Sequence, residues 1–268
     1  MAGNANFDEI LSTTLKNYIP KLTDNIFSAR PLFYALTNGQ TIRRISGGAN
    51  IVVPIIYGTN STAGSYAGTD TIDITAQTGI SAAEYSWGQY AATVTISGIE
   101  EAKNNGEAQI IDLLEGKIFQ TQESVIENMN TMFFADGTGN GGKDWNGLNN
   151  VVSTTAIGGI DSADAGNSFW QPTQTDEGGV LTQASMASMY NTVSVGNDQP
   201  TIIISRRQGY EAYEALLVDQ IRYTDTDMAD GGFQNLLFKG APITFDDACT
   251  AQYMYFLNTK YLQLVAHS

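Results

Sequence analysis

Apolar residues fall at helical spacing near the start of the chain and at strand spacing soon after it. Phe7, Ile10, Leu11, Leu15 and Tyr18, with Thr14, lie on one stripe, which predicts a short amphipathic helix that Pro20 stops. From Leu22 to Leu36 single apolar residues are separated by Asp24, Asn25, Arg30 and Pro31 without a period, the pattern of an extended arm laid on another surface. Ala49 to Tyr57, interrupted by Pro54, predicts a strand, and so does Tyr85 to Ser97, where Tyr90, Ala92, Val94 and Ile96 alternate with Thr93 and Thr95. Between them Gly58 to Ala83 is too rich in small and polar residues to form a core, although Ile72 and Ile74 alternate. A loop this long inside a compact domain has a function, so strands and loop together predict a long two-stranded arm. An isolated hairpin is only marginally stable, and such an arm needs a neighbouring subunit to lie on.

The strongest helical period runs from Gly106 to about Ala135, where Ile111, Leu114, Ile118, Val125, Met129 and Met132 recur three, four or seven residues apart. Asn105 is placed to cap it. At 1.5 Å per residue the rod is about 45 Å long. Asp136-Gly137-Thr138-Gly139-Asn140-Gly141-Gly142 ends it, and Val151 to Gly179 is irregular. Afterwards the pattern alternates: helix Leu181 to Val193, strand Thr201 to Ile204, helix Arg207 to Val218, then strands around Ile243, at Tyr253 to Leu257 and at Tyr261 to Val265. Asn258-Thr259-Lys260 predicts the turn of a terminal hairpin. The class is α+β.

Composition narrows the function. The 268 residues carry 28 acidic against 13 basic side chains, a net charge of −15, which repels phosphate backbones and argues against a reader of nucleic acid built on Lys and Arg clusters. The single cysteine, Cys249, excludes an internal disulfide and leaves no thiol pair for zinc or redox chemistry. A reduced cytoplasm fits. No stretch of about 18 apolar residues occurs, so no membrane span is predicted. Asn60-Ser61-Thr62 is a formal glycosylation acceptor; without a signal sequence it is a polar loop.

Candidate chemistry is sparse. A Ser-His-Asp or Cys-His arrangement would have to use the only histidine, His267, at a chain end expected to fray. The Gly137 to Gly142 loop follows a helix, whose carbonyl end repels anions, whereas a phosphate-binding loop precedes one. Asp225 to Gly231 resembles the start of a calcium loop, but Leu236 stands where the bidentate Glu belongs. Glu100-Glu101 and Asp246-Asp247 are adjacent in sequence and point apart. Arg43-Arg44 and Arg206-Arg207 are isolated basic pairs suited to ion pairs at interfaces. No catalytic, cofactor-binding or metal-binding set emerges, and the expected class is a structural protein with no cofactor, not an enzyme.

The order of parts carries a resemblance. The long helix ends in Phe133-Phe134-Ala135-Asp136-Gly137-Thr138-Gly139 and is followed by Trp145-Asn146-Gly147-Leu148; Gln199-Pro200-Thr201-Ile202-Ile203-Ile204-Ser205 leads into a helix; Phe238-Lys239-Gly240-Ala241-Pro242-Ile243 precedes the closing strands. Over nearly its whole length the sequence resembles a tailed-bacteriophage major capsid protein with the Hong-Kong-97-type capsid fold.

That resemblance implies an N-terminal arm at 1–45, an extended β-hairpin loop at 46–100, a peripheral domain with the long spine helix at 101–175 and 245–268, and a mixed α/β axial domain at 176–244. It implies a late virion protein, assembled in the host cytoplasm, whose copies form pentamers and hexamers of an icosahedral shell. The shell encloses double-stranded DNA without sequence-specific binding and without a membrane. A separate scaffolding protein, favoured by Met1, a portal and a possible cement protein are the implied partners. With no lysine between Lys21 and Lys103, the lysine-based covalent cross-links of some members are not expected. The interface candidates are Phe7, Leu11 and Leu15 on the first helix, Tyr66 and Ile72 at the loop tip, and Asp225 and Phe233 in an axial loop. Two alternatives remain: an encapsulin-type nanocompartment shell, and a β-rich surface-attachment module using Tyr85, Trp87, Tyr90 and Trp170.

Overall fold

Pro31 opens a helix instead of breaking the chain. In the computed structural model, which describes residues 30–38, 42–103, 113–217 and 236–268, it is the first residue of helix α1 (Pro31–Asn38). Its fixed φ suits a first turn, and its missing N–H is one the helix leaves unbonded anyway. Leu32 and Leu36, one turn apart, are both buried. The extended arm expected up to Leu36 is therefore corrected over Pro31–Leu36; its residues 22–29, the Phe7–Tyr18 helix, the Asn105 cap and the Asp225–Gly231 loop lie outside the described residues.

The described elements then run β1 (Ile42–Ile45), β2 (Asn50–Ile56), β3 (Ile80–Ser86), α2 (Gly98–Lys103), α3 (Leu113–Phe134), α4 (Leu148–Val151), a 3₁₀ turn at Ala165–Trp170, α5 (Gln183–Thr192), β4 (Ile202–Ser205), α6 (Arg207–Leu216), β5 (Leu236–Phe238), β6 (Ala241–Phe245), β7 (Met254–Leu257) and β8 (Leu264–His267). They fall into two compact units, one made of 91–103 with 113–128 and the other of the remainder, the division falling inside α3.

In the larger unit β4 organises the core. Its side chains alternate between the two faces of a sheet, and Ile202, Ile203 and Ile204 are all buried. Ile202 and Ile204 pack with Leu32, Leu36, Phe133, Phe134, Leu148 and Tyr255. Ile203 packs with Met186, Tyr190, Tyr210, Tyr213 and Phe238. The end of α3, α1 and α4 thus cover one face of the sheet, and α5 and α6 cover the other. Each isoleucine buried in full stabilises by on the order of 1.5–3 kcal/mol. The strand order is β5-β6-β4-β7, with β6 parallel to β4 and the other pairs antiparallel. A parallel neighbour requires a crossover, and α6 supplies it. Thr182 and Ser185 start α5 as a reciprocal capping box.

The terminal hairpin is corrected. β7 pairs with β4 and β8 pairs in parallel with β1, Ile42 opposite Leu264 and Ile45 opposite His267. Asn258–Tyr261 does turn, with the Tyr261 amide on the Asn258 carbonyl, but it feeds a different sheet. The second expected strand is also corrected: β3 starts at Ile80 and ends at Ser86, and 87–97 carry no regular structure. Cross-strand pairing with β2 fixes β3, Val53 opposite Ala83, and that partner stops at Asn50.

The glycine-rich corner after α3 is held by close approach. Gly147 has φ −92 and ψ −171, a conformation open to any residue. A Cβ there would lie 2.5 Å from the Ala135 carbonyl oxygen and 2.8 Å from that of Phe133. Only glycine lets α4 begin against the carbonyl end of α3. Behind it Asn130 of α3 and Asp246, both buried, form the polar link of the core: the Asn130 amide donates to both Asp246 carboxylate oxygens at 3.0 and 3.2 Å, and the Ala248 N–H donates at 2.9 Å.

Candidate assembly surfaces

The hairpin β2–β3 is apolar on both faces, and only one face is covered. Antiparallel partners share a face, so Ile51 with Tyr85, Val53 with Ala83 and Ile55 with Ser81 lie on one side, and Val52 with Glu84, Pro54 with Ala82 and Ile56 with Ile80 on the other. On the first side Ala83 is fully buried. The backbone of Gly158 fits there so closely that a Cβ would come 2.9 Å from the Ala83 Cβ, and its carbonyl accepts from the Glu84 N–H at 2.9 Å. Tyr57 stacks on Phe169 at 4.5 Å. The other side is open: Ile56 is 80% exposed, Ile80 72% and Val52 54%. Exposed apolar residues scattered singly need no explanation, but a contiguous set marks a contact surface. Pro54, which has no N–H, sits on this two-stranded ribbon as an edge residue should.

The base of the hairpin is fixed by aromatic contacts. The Trp87 indole donates to the Gly48 carbonyl at 3.0 Å and meets His267 edge-on at 5.8 Å. His267 Nε2 accepts from the Gly47 N–H at 3.4 Å. The expectation of a frayed His267 is thereby corrected, since pairing of β8 with β1 holds the residue at the hairpin base, although it is exposed. Trp170 donates to the Ile157 carbonyl at 3.2 Å, and Tyr85, Trp87 and Trp170 are half-buried. Three of the four aromatic residues considered for an attachment groove therefore pack within the chain.

The remaining polar groups are structural in their surroundings. Burial, and secondarily the Asp246 carboxylate, pushes the Cys249 thiol up to about 12, so only about one in ten thousand is ionised at pH 8. Burial likewise pushes the Tyr255 hydroxyl up to about 12, while it donates to Asn149 Oδ1 at 2.5 Å. Arg207 pairs with Asp247 at 3.1 Å and lies over the Phe245 ring, an ion pair within the chain; Arg43 and Arg44 are exposed on β1. Lys117 donates to the Thr95 carbonyl and to Glu100 at 2.9 Å, holding the Glu100 carboxyl below its usual range. Lys260 does the same for Asp198. Asn60 Oδ1 accepts from the Thr62 amide and hydroxyl, a local polar turn. Among the described residues no three His, Cys, Asp or Glu side chains are grouped to hold a metal ion, and no helix is long and apolar enough to cross a membrane.

Of the interface candidates, Tyr66 and Ile72 are 69% and 61% exposed, in a segment from 58 to 79 without strand structure. Phe7, Leu11, Leu15, Asp225 and Phe233 lie outside the described residues. Sequence reasoning missed Val52, Ile56 and Ile80. The signal was present in Ile51-Val52-Val53-Pro54-Ile55-Ile56, whose apolar residues occupy both strand faces without alternation.

No protein-family profile and no curated protein matches the sequence. Solved structures do match. The cyanophage A-1(L) capsid asymmetric unit is 18% identical over 95% of this chain and 77% of that one, with TM-score 0.68. The capsid of a native GTA particle is 11% identical over 92% and 78%, with TM-score 0.59. The SrpI encapsulin complex of Synechococcus elongatus PCC 7942 is 12% identical over 92% and 70%, with TM-score 0.56. The chain has a phage major capsid protein fold, a mixed helix and sheet arrangement of the Hong-Kong-97-like kind.

Proposed function

We propose that this chain is the major capsid protein of a tailed phage, whose copies associate as pentamers and hexamers and close into an icosahedral shell around double-stranded DNA. The observation that carries the reading is the open apolar face of β2–β3 in a chain with a shell-protein fold. Val52, Pro54, Ile56, Ile80 and Ala82 form a surface that a lone soluble subunit has no use for, and a second copy is the partner that a shell supplies. Residues 1–45 then serve as the N-terminal arm, 46–100 as the extended loop, 101–175 with 245–268 as the peripheral domain, and 176–244 as the axial domain. The sheet of the core joins the last two, since β7 pairs with β4. Assembly in the host cytoplasm, a separate scaffolding protein, a portal and a cement protein complete the proposal.

A nanocompartment shell is the second reading, favoured by the encapsulin match; the cyanophage capsid overlays better and over more of both chains. Nucleic-acid content of purified particles separates the two. The shell reading is tested by the double variant Ile56→Asp with Ile80→Asp. Both side chains are exposed, so the melting temperature of the unassembled subunit is expected to stay within about 2 °C of wild type, while particles disappear from electron micrographs. Particles at wild-type yield would count against this face as a subunit contact.

A further inference from the structure

Residues Ala91-Ala92-Thr93-Val94-Thr95-Ile96 have the composition of a strand and no strand partner among the described residues. Thr93, Val94, Thr95 and Ile96 are β-branched, a class that favours pleated, half-buried surfaces, yet Ala91 to Thr95 are exposed and only Ile96 is half-buried. No backbone N–H or carbonyl from 91 to 96 makes a backbone hydrogen bond with another described residue. The C-terminal end is nevertheless fixed. Lys117 Nζ donates to the Thr95 carbonyl at 3.1 Å, and Ser97 and Glu100 exchange hydrogen bonds as the capping box of α2. A six-residue segment, the commonest strand length, is thus presented beside an anchored helix start, and among the described residues only its Thr95 carbonyl is engaged, by the Lys117 ammonium.

We infer that Ala91–Ile96 becomes a strand by adding to an open sheet edge of a second copy of this chain, an inference that rests on the shell reading. Main-chain pairing of this kind supplies affinity through backbone groups and specificity through alternate side chains. The hairpin offers poor edges, because β2 carries Pro54 and β3 already gives the Glu84 amide to Gly158. The β1–β8 pair fits better. Parallel strands normally occur in larger sheets covered on both faces, whereas this pair has two strands among the described residues and leaves Leu264, Val265 and Ala266 half-buried. A third strand carrying Ala92, Val94 and Ile96 on one face would extend it with matching apolar residues.

Hydrogen exchange of the full-length chain, compared between purified particles and unassembled subunits, tests this. Amides of 91–96 are expected to slow at least tenfold on assembly, together with amides in 42–45 or 264–267. Intact particles with 91–96 exchanging at the subunit rate overturn the inference and leave the shell reading standing. Protection already complete in the unassembled subunit overturns it too, by assigning the partner to the same chain. Slowing of 91–96 without any in 42–45 or 264–267 overturns the choice of edge. A chain that forms no particles at all overturns the shell reading and this inference with it.

Discussion

Gly147→Ala is expected to destabilise the subunit by about 3 kcal/mol or more, lowering its melting temperature by roughly 6–12 °C. The reason is space, because the backbone angles at Gly147 suit any residue. The added methyl meets main-chain oxygens of Phe133 and Ala135, and these belong to the last turn of α3 and its continuation, beside the buried Phe133 and Phe134. A flexible side chain would move aside; a helix end packed into the core does not. Gly141→Ala is the informative control. Its φ is +72 and nothing lies within 4 Å of a Cβ, so conformational strain alone acts, at about 1–2 kcal/mol. Thermal unfolding of both variants checks the account, and a Gly147→Ala protein as stable as Gly141→Ala would refute the close-approach explanation.

The second large effect is expected at the buried polar link. Asn130→Ala removes the donor that bridges both oxygens of a carboxylate almost without solvent contact, and a buried charged group left short of a partner costs about 3 kcal/mol. Asp246→Ala leaves the Asn130 amide without its acceptor and also removes the bond from the Ala248 N–H. Because the two residues form one unit, the double variant is expected to cost less than the sum of the singles, by about 1–3 kcal/mol. Asp246→Asn keeps the shape and an accepting oxygen for the Ala248 N–H, but its new NH2 faces the Asn130 amide donor; this variant is expected to lose about 1–3 kcal/mol. Denaturant unfolding of the four proteins decides. Additive losses would show that Asn130 and Asp246 act separately.

The Asn130–Asp246 link joins parts of the chain 116 residues apart, and contacts of that kind are where the sequence was least legible. Elements with a strong local signal were readable to within a few residues: the Ile202–Ser205 strand, α5, α6 and the C-terminal part of the long helix. The run of isoleucines is buried on both faces, as suits a strand with a parallel neighbour. What was not legible depends on pairing across the chain. β1, Ile42-Arg43-Arg44-Ile45, presents itself as a basic pair until β8 aligns with it more than 200 residues later. β7 and β8 were joined as a hairpin because a turn separates them, yet each has a better partner elsewhere. Pro31 reads in the sequence as one of the interruptions of an extended arm, although a proline at a first helical position suits a helix start. Ala91–Ile96 has the strand period but no partner in the described chain, and periodicity alone is blind to that difference.

The candidate surface was legible only in part. Tyr66 and Ile72, candidates as apolar residues at the loop tip, are both exposed. The larger apolar face of Val52, Ile56 and Ile80 went unnoticed because a strand with apolar residues on both sides is also what a fully buried strand looks like. Composition does not separate a core from a subunit contact; the pairing register and the covering loop at Gly158 do.

The most direct measurement is negative-stain electron microscopy of the wild-type chain, alone and co-expressed with a candidate scaffolding protein, on a sample whose mass has been measured by light scattering. The account predicts closed shells, tubes, or discrete pentamers and hexamers. A strictly monomeric species at high concentration under both conditions would contradict it.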